Sequence, residues 1–439
     1  MSDLIPSLED LQVETLGPCL VPSPLCGETT CFTDESSRVL LLSDTKSIDR
    51  YLAQRLPLPS FEPAGPRQQV FFDPKSLICG IVTCGGICPG LNNVIRSITL
   101  TLYENYGARQ VLGFRYGYAG LAPNSPFPPI YLGMPEVDNI QEAPGTILGS
   151  SRGPQPVEAM LATLQKYNIS ILFVVGGDGT LSGASCLAAE IKRHGLPISV
   201  IGVPKTIDND LSWISRSFGF TTAVEAATAV IEAAHCEAKS AWNGVGLVRL
   251  MGRHSGFIAA HASIATGVVN FCLIPEVPFM LEGERGFLKS LENRLKRKRH
   301  AVVVVAEGAG QYLFETSGEV QRDASGNIKL KDIGSYLKEA ITQHLSSQGM
   351  EFSIKYIDPS YTIRSLPAGA VDAEFCVELG LNAVHAGMAG KTNMVVGLWN
   401  QQFTHVPISV VIAERKQVNP KDTLWQTVLN TTHQPSVML

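Results

Sequence analysis

The sequence predicts an α/β protein with two Rossmann-like lobes, largely parallel sheets and an N-terminal extension. Three observations predict it. From Ser76 onward, apolar β-rich runs recur without alternating apolar and polar residues, so the strands they form are buried on both faces. Segments of helical length stand between them, the order that makes parallel βαβ units. The pattern also runs too long for one open sheet of ordinary width, which asks for two lobes with a cleft as the default site.

Residues 1–74 stand apart. Rich in Pro and Ser and without a sustained period, they read as an extension that wraps the body, with a small hairpin near Ser37–Leu42. Strands are expected at 77–86, 169–179, 197–205, 245–252, 269–276, 300–310, 352–358 and 393–399. Helices are expected at 90–105, 156–167, 181–194, 221–238, 255–265, 284–297, 331–346 and 371–388. One lobe would span 75–218 with part of 365–412, a second lobe 219–364, and a tail 413–439. His254 to Leu281 is the longest nearly uncharged stretch. It holds His261, Asn270, Glu276, two Gly and two Pro, and reads as a buried helix and strand, not a bilayer span.

Lys and Arg number 35 against 40 Asp and Glu, a net charge of −5. That balance argues against a broad nucleic-acid or anionic-membrane surface and leaves room for a local basic pocket. Forty glycines with 7% aromatics fit an enzyme of many turns and close backbone approaches. The ten cysteines are scattered, and the Cys26/Cys31 and Cys84/Cys88 pairs lack partners at zinc-site spacing. They read as free thiols in a reducing compartment. The start, MSDLIPSLEDLQVE, has no basic region followed by an apolar core, and the closing SVML is not a peroxisomal signal. A cytoplasmic protein is expected.

Chemistry gathers where strands end. In TCGGICPGLN (83–92), glycines after a buried strand and Pro-Gly before a helix let backbone N–H groups approach a phosphate. Tight strand-to-helix turns also use glycine for steric reasons. In Gly176-Gly177-Asp178-Gly179-Thr180, glycine permits phosphate approach and Asp178 can hold Mg²⁺ directly or through water; the plainer reading is a turn with a capping Asp. In Pro204-Lys205-Thr206-Ile207-Asp208-Asn209-Asp210, two carboxylates two residues apart point the same way in extended chain. One can accept a hydroxyl proton while the other organises metal and water; a solvated acidic turn is the alternative.

MGRHSG (251–256) places Arg253 at a helix N-terminus, unfavourable for the helix dipole unless an anion is near, while His254 reads as a satisfied polar residue. Glu307 in AEG can accept from sugar hydroxyls and Arg364 in YTIR can pair with a phosphate, though each also suits a surface ion pair. Together these loops point to Mg²⁺-assisted phosphoryl transfer onto a hydroxyl of a phosphorylated, polyhydroxylated acceptor. Neither GxxxxGK[ST] nor an HRD/DFG set is present.

In this order, GGICPGLN, ILGSSRG, GGDGT, PKTIDND, SFGF, MGRHSG, PEVPF, AEGAG and YIDPSYTIR resemble the 6-phosphofructokinase family over about residues 65–432. AGPRQ, GFRYGYAGL and YIDPSY are most similar to the long ATP-dependent enzymes of plants and kinetoplastid protists. The resemblance implies an ATP- and Mg²⁺-using allosteric glycolytic kinase, a homotetramer acting on fructose 6-phosphate. It implies Asp208 as the base for the C1 hydroxyl, Thr206 and Arg253 at the transferring phosphoryl group, and Asp178 at the metal. It further implies Gly85, Tyr118, Arg152, Gly153, Gly177, Gly179 and Thr180 at the nucleotide. Ile207, Met251, Gly252, Glu307, Tyr361, Thr362, Ile363 and Arg364 would join Thr206, Asp208 and Arg253 at the sugar phosphate.

Donor choice is implied at two positions. Pyrophosphate-dependent relatives typically carry Asp where this chain has Gly179, and Lys where it has Lys205; short bacterial ATP enzymes often have Gly at the latter. Gly179 with Lys205 is the combination of the long ATP-dependent group. Short bacterial enzymes also have an Arg at the position of Gly244, reaching a neighbouring subunit's sugar phosphate; Lys355 could supply a compensating charge. Two alternatives stand beside the ATP-dependent enzyme. One is the pyrophosphate-dependent version, and the other is a catalytically silent nucleotide-binding regulatory subunit. Intact Asp178, Thr206, Asp208 and Arg253 speak against the silent subunit.

Overall fold

The computed structural model describes residues 5–27, 31–314, 322 and 328–438. The chain divides into two compact units, Met1–Gly219 with Ser365–Arg415, and Phe220–Arg364 with Lys416–Leu439. The fold is mixed α/β with largely parallel sheets.

The first unit is built on a nine-stranded sheet. Across it run Val39–Leu40, Ser60–Pro63, Gln402–Pro407, Met394–Trp399, Ser199–Pro204, Ile171–Gly176, Ile78–Thr83, Gln110–Phe114 and Ile130–Tyr131. The strands from Met394–Trp399 to Gln110–Phe114 are parallel, and both edges are antiparallel. Every residue of Ile171–Gly176 and Ser199–Pro204 is buried, which is why neither run alternates. The chain leaves Ile78–Thr83 for its neighbour Gln110–Phe114 and then lays Ile171–Gly176 on the opposite side. Strand order therefore reverses between Ile78–Thr83 and Ile171–Gly176, and such a reversal opens a crevice at the carboxyl ends.

The second unit holds a parallel four-stranded sheet in the order Phe271–Leu273, His300–Ala306, Gly244–Leu250, Ser353–Ile357. Val245, Leu247, Val303 and Val305 on one face pack with Leu291, Leu295, Leu337 and Ile341 from two helices. Each such side chain, fully buried, contributes about 1.5–3 kcal/mol. Helix Thr423–Thr432 belongs to this unit and lies against helix Phe257–Thr266.

Several expectations need correction. The hairpin near Ser37–Leu42 does not form. Val39 and Leu40 pair instead with Phe61 and Ser60, and helix Thr45–Ala53 stands between, capped by Asp44 on the Ser47 N–H. The local stretch lacks a two-residue turn signal, whereas Asp is a strong N-cap. The extension also supplies two strands to the main sheet, and Glu14–Thr15 pairs with Lys391–Thr392. The helix expected from 181 begins at Asp178, whose charge suits a first turn. YTIR is not a loop but lies in the short helix Ser360–Arg364. Strands Gln110–Phe114 and Gln402–Pro407 and helix Thr423–Thr432 were not anticipated. Among the described residues, no helix is long and apolar enough to cross a membrane, and all ten cysteines are unpaired.

Candidate active site

The first unit gathers its glycine-rich loops at the carboxyl ends of three adjacent strands, Ile78–Thr83, Ile171–Gly176 and Ser199–Pro204. Gly85 turns the first loop with φ +85, a value that an L side chain rarely adopts. Its N–H donates to the Ser151 carbonyl at 3.1 Å, and the Ser150 hydroxyl donates to its carbonyl at 2.6 Å. The ILGSSRG segment is thereby docked on the loop, and Thr83 Oγ1 adds a bond to the Gly149 carbonyl at 2.8 Å. Asn92 pins the same segment from the helix start, accepting from Ile147 N–H at 2.9 Å and donating to the Ala143 carbonyl at 3.0 Å. Arg152 and Gly153 (φ +101) follow directly.

Gly177 is the N-cap of helix Asp178–Arg193, so Asp178, Gly179 and Thr180 form its first turn, where unpaired N–H groups favour anions. Apart from its chain neighbours and the backbone of its own helix, no heavy atom of the described residues lies within 4 Å of where a Cβ on Gly179 would stand. Tyr118 is buried: its hydroxyl donates to the Thr180 carbonyl at 2.6 Å, and its ring lies against Gly183. It supports this helix from beneath. Asp178 accepts from Arg415 Nε at 3.0 Å and also from Arg415 Nη2.

The third loop is held from within. Lys205 is only 7% exposed, and its ammonium donates to the Gly86 carbonyl at 2.8 Å. Burial pushes the Lys205 ammonium down, with the Cys88, Cys84 and Asp208 acids pulling up and Arg152 pushing down. Thr206 Oγ1 donates to Asp210 Oδ1 at 2.6 Å and accepts from the Asp208 N–H at 3.3 Å. Asn209 takes φ +53, and its side-chain oxygen accepts from the Ser217 N–H at 3.0 Å. The Ser217 hydroxyl in turn donates to the Thr206 carbonyl at 2.5 Å. Ile207 is buried and anchors the loop. The first unit thus brings together Gly85, Tyr118, Arg152, Gly153, Gly177, Asp178, Gly179, Thr180, Lys205, Thr206 and Asp208.

The second unit carries the other expected residues, again beyond strand ends. After Gly244–Leu250 come Met251, Gly252 (φ +128) and Arg253. The Glu307 loop is zipped to them: Glu307 N–H donates to the Leu250 carbonyl at 2.9 Å and Gly308 N–H to the Gly252 carbonyl at 3.0 Å. Arg253 Nη2 donates to the Ile328 carbonyl. Burial pushes the Glu307 carboxyl up, while Arg249, Arg253 and Arg364 pull it down. Arg249 also pairs with Asp358. Arg364 lies 4.7 Å from the ring centre of Tyr361, which is 74% exposed. Arg364 Nε is buried with no hydrogen-bond partner among the described residues. Thr362 is exposed, whereas Ile363 is wholly buried and its N–H donates to the Pro359 carbonyl at 3.0 Å, so the expectation that Ile363 meets a ligand is corrected: it anchors the short helix. Gly244 lies at the far end of its strand from Met251, with the Ala238 carbonyl where a Cβ would stand, and Lys355 is exposed beside Gly246.

Two basic residues escaped the sequence reading. Arg249 is the charged residue of VGLVRL, a signal that was there to be read. Arg415 stands 237 positions from Asp178, and no spacing reveals that pairing.

Glycine turns and helix N-termini gathered at the carboxyl edge of a parallel sheet are the arrangement of an α/β phosphate-binding protein. A sequence profile described as Phosphofructokinase matches residues 78–387. The chain is 46% identical over 444 residues to a Borreliella burgdorferi protein named ATP-dependent 6-phosphofructokinase, with 98% of each chain covered. A Trypanosoma brucei brucei protein of the same name is 48% identical over 374 residues, 84% of this chain and 76% of that one. Among solved structures, the pyrophosphate-dependent phosphofructokinase of Marinobacter aquaeolei shares the fold with a TM-score of 0.67. Its sequence identity is 22%, over 81% of this chain and 91% of that one. The chain belongs to the phosphofructokinase family.

Proposed function

We propose that this chain is an ATP-dependent 6-phosphofructokinase of glycolysis. It moves the γ-phosphoryl group of ATP to the C1 hydroxyl of fructose 6-phosphate, giving fructose 1,6-bisphosphate and ADP. The observation that carries the choice of donor is the open space at Gly179, in the first turn of a helix whose N-terminus attracts phosphate. A carboxylate there, as in pyrophosphate-dependent relatives, would repel the α-phosphate of ATP.

The first unit supplies the donor half and the base. Gly85, Arg152, Gly153, Gly177, Gly179 and Thr180 hold the nucleotide, and Tyr118 fixes the helix that carries Thr180. Thr206, oriented by Asp210, contacts the transferring group, and Asp208 takes the C1 hydroxyl proton as the bond to phosphorus forms. The second unit supplies the acceptor half. Met251 and Gly252 shape the sugar site, and Arg253 faces the charge on the transferred group. Glu307 accepts from sugar hydroxyls, and Tyr361, Thr362 and Arg364 take the 6-phosphate. The orphaned Arg364 Nε supports an anionic partner.

The residues fit a phosphate-bound Mg²⁺. Among the described residues no three metal-ligating side chains converge, and part-exposed Asp178 offers the single carboxylate that such an ion needs beside phosphate oxygens and water. Bound there, Mg²⁺ neutralises charge on the donor phosphates.

Incubation of the protein with fructose 6-phosphate and Mg²⁺, with ATP or pyrophosphate in parallel, tests the reading. ATP-dependent bisphosphate formation is expected. Turnover with pyrophosphate alone would make Lys205 the deciding residue, and silence with both donors would favour a regulatory subunit. A homotetramer is the proposed assembly, to be measured by light scattering.

A further inference from the structure

Asp178 poses an electrostatic problem. It opens helix Asp178–Arg193 and is the acidic residue of its first turn. The N–H groups of that turn favour an incoming phosphate, but the carboxylate opposes one unless a cation stands beside it. The structure supplies the cation. Arg415 reaches Asp178 Oδ2 with Nε at 3.0 Å and with Nη2 as well. The pair is part-exposed, the two side chains at 33% and 45%, so both can be reached from solvent. Arg415 is also well placed by its backbone. It bridges Leu211, and the Ser212 hydroxyl donates to the neighbouring Glu414 carbonyl at 2.8 Å. Arg415 is therefore mounted on the continuation of the loop that carries Thr206, Asp208 and Asp210.

We infer that Arg415 is a donor-site residue, a resident counter-ion to Asp178 that pairs with the donor's phosphate oxygens once a divalent cation takes the carboxylate. The inference rests on the reading of Asp178 as the metal-holding residue. Its physical content is competition. Guanidinium and metal ion seek the same oxygen, so Arg415 weakens binding of a bare divalent cation. It strengthens binding of a nucleotide without metal, because it cancels the charge that would repel the phosphates. A planar fork of N–H donors matches phosphate as well as carboxylate, so exchanging one partner for the other needs only a side-chain rotation. The result is a site that resists loading metal without nucleotide.

The test uses full-length protein in three binding titrations: Mn²⁺ alone followed by electron paramagnetic resonance, ADP in EDTA, and ADP with Mg²⁺. Arg415→Gln should bind Mn²⁺ alone about three- to fivefold more tightly, the range of a part-exposed ion pair. It should bind ADP in EDTA more weakly by a similar factor. Arg415→Lys keeps the charge without the fork and should fall between. These opposite shifts cannot come from a misfolded variant, which would lose all three. Wild-type protein that binds ADP with Mg²⁺, with Mn²⁺ affinity unchanged or weaker in Arg415→Gln, would overturn this inference alone. Wild-type protein that fails to bind ADP with Mg²⁺ would overturn it together with the proposed function.

Discussion

The ammonium of Lys205 donates to the carbonyl of Gly86 at 2.8 Å, a bond that ties the loop after strand Ser199–Pro204 to the loop after strand Ile78–Thr83. Gly85 sits beside it, so that a Cβ there would stand 3.3 Å from Lys205 Nζ. The lysine is buried and already engaged with the protein, which gives it a placing role that either phosphoryl donor would need. Donor choice then falls to Gly179.

Gly179→Asp should separate donor choice from folding. The new Cβ meets no heavy atom of the described residues within 4 Å beyond its own helix backbone and chain neighbours, and φ at Gly179 is not in the left-handed region. An acidic residue also suits a helix first turn. The thermal midpoint is expected to move by less than about 3 °C, as for a substitution that touches nothing. A carboxylate beside the α-phosphate should lower kcat/KM for ATP by at least about a hundredfold, the scale of losing one donor that stabilises transition-state charge. Steady-state kinetics and scanning fluorimetry on the same preparation decide it. Unchanged ATP kinetics would refute the assignment.

Much of this was legible in the sequence, for a local reason. A strand buried on both faces is a continuous apolar run, and a ligand loop at its end is a break into glycine and charge, so GGDGT and PKTIDND announce both at once. What stayed hidden depends on distant partners. Arg415 reads as one charge among AERKQ until the fold brings it to Asp178. Val39 could be seen as a strand, but its partner Phe61 lies beyond a helix, and no periodicity encodes that pairing. Gln402–Pro407 pairs antiparallel near the edge of the sheet with Gln402 exposed, so its pattern is weaker than that of a central strand.

Asp208→Asn should leave the loop standing, because the scaffold runs through its neighbours: Thr206 on Asp210 at 2.6 Å, and Ser217 on both Asn209 and the Thr206 carbonyl. Removing the proposed base should lower kcat by about 10²–10⁴, the usual worth of general base catalysis. Calorimetric affinity for ADP with Mg²⁺ should stay within about threefold, since uniform binding is untouched. A kcat within tenfold of wild type would move the base elsewhere.

Glu276, in PEVPF, ties the last residue of MGRHSG to the backbone of Val418. Its Oε1 accepts from the Gly256 N–H at 2.9 Å and the Val418 N–H at 2.8 Å, while Oε2 is buried without a hydrogen-bond partner among the described residues. Burial raises its pKa, against the pull of the two backbone donors. A carboxyl raised in the folded state favours folding at low pH, and that contribution is lost as pH rises from the ordinary value of 4.5 through the raised one. Glu276→Gln keeps an acceptor and cannot ionise. Urea titrations across this window should show a flatter decline for the variant, and parallel curves would mean that Glu276 does not carry the dependence.

The acid limb of stability should come from the first unit, where the extension meets the main sheet. Glu62, on strand Ser60–Pro63, accepts from Lys391 at 2.7 Å and lies 3.4 Å from His405 Nδ1. Burial pushes the Glu62 carboxyl up, and its hydrogen bonds from His405 and Lys391 overcome this and hold it at about 2. Nearby, burial lowers His385 from 6.5 to about 4, and its Nδ1 lies 2.7 Å from the Tyr106 hydroxyl. Both groups are depressed in the folded state, so both stabilise at neutral pH and both fail in acid, at different points. The His385 contribution fades as pH falls from 6.5 toward about 4, and that of Glu62 from 4.5 toward about 2. Glu62→Gln should therefore be less stable than wild type at pH 7 and lose part of the slope below pH 4.5, while retaining the slope below 6.5 that His385 and His405 supply, both lowered by burial. Chemical denaturation at stepped pH resolves the two limbs. A variant that lost the upper limb instead would show that the carboxylate acts through the histidines, not through its own protonation.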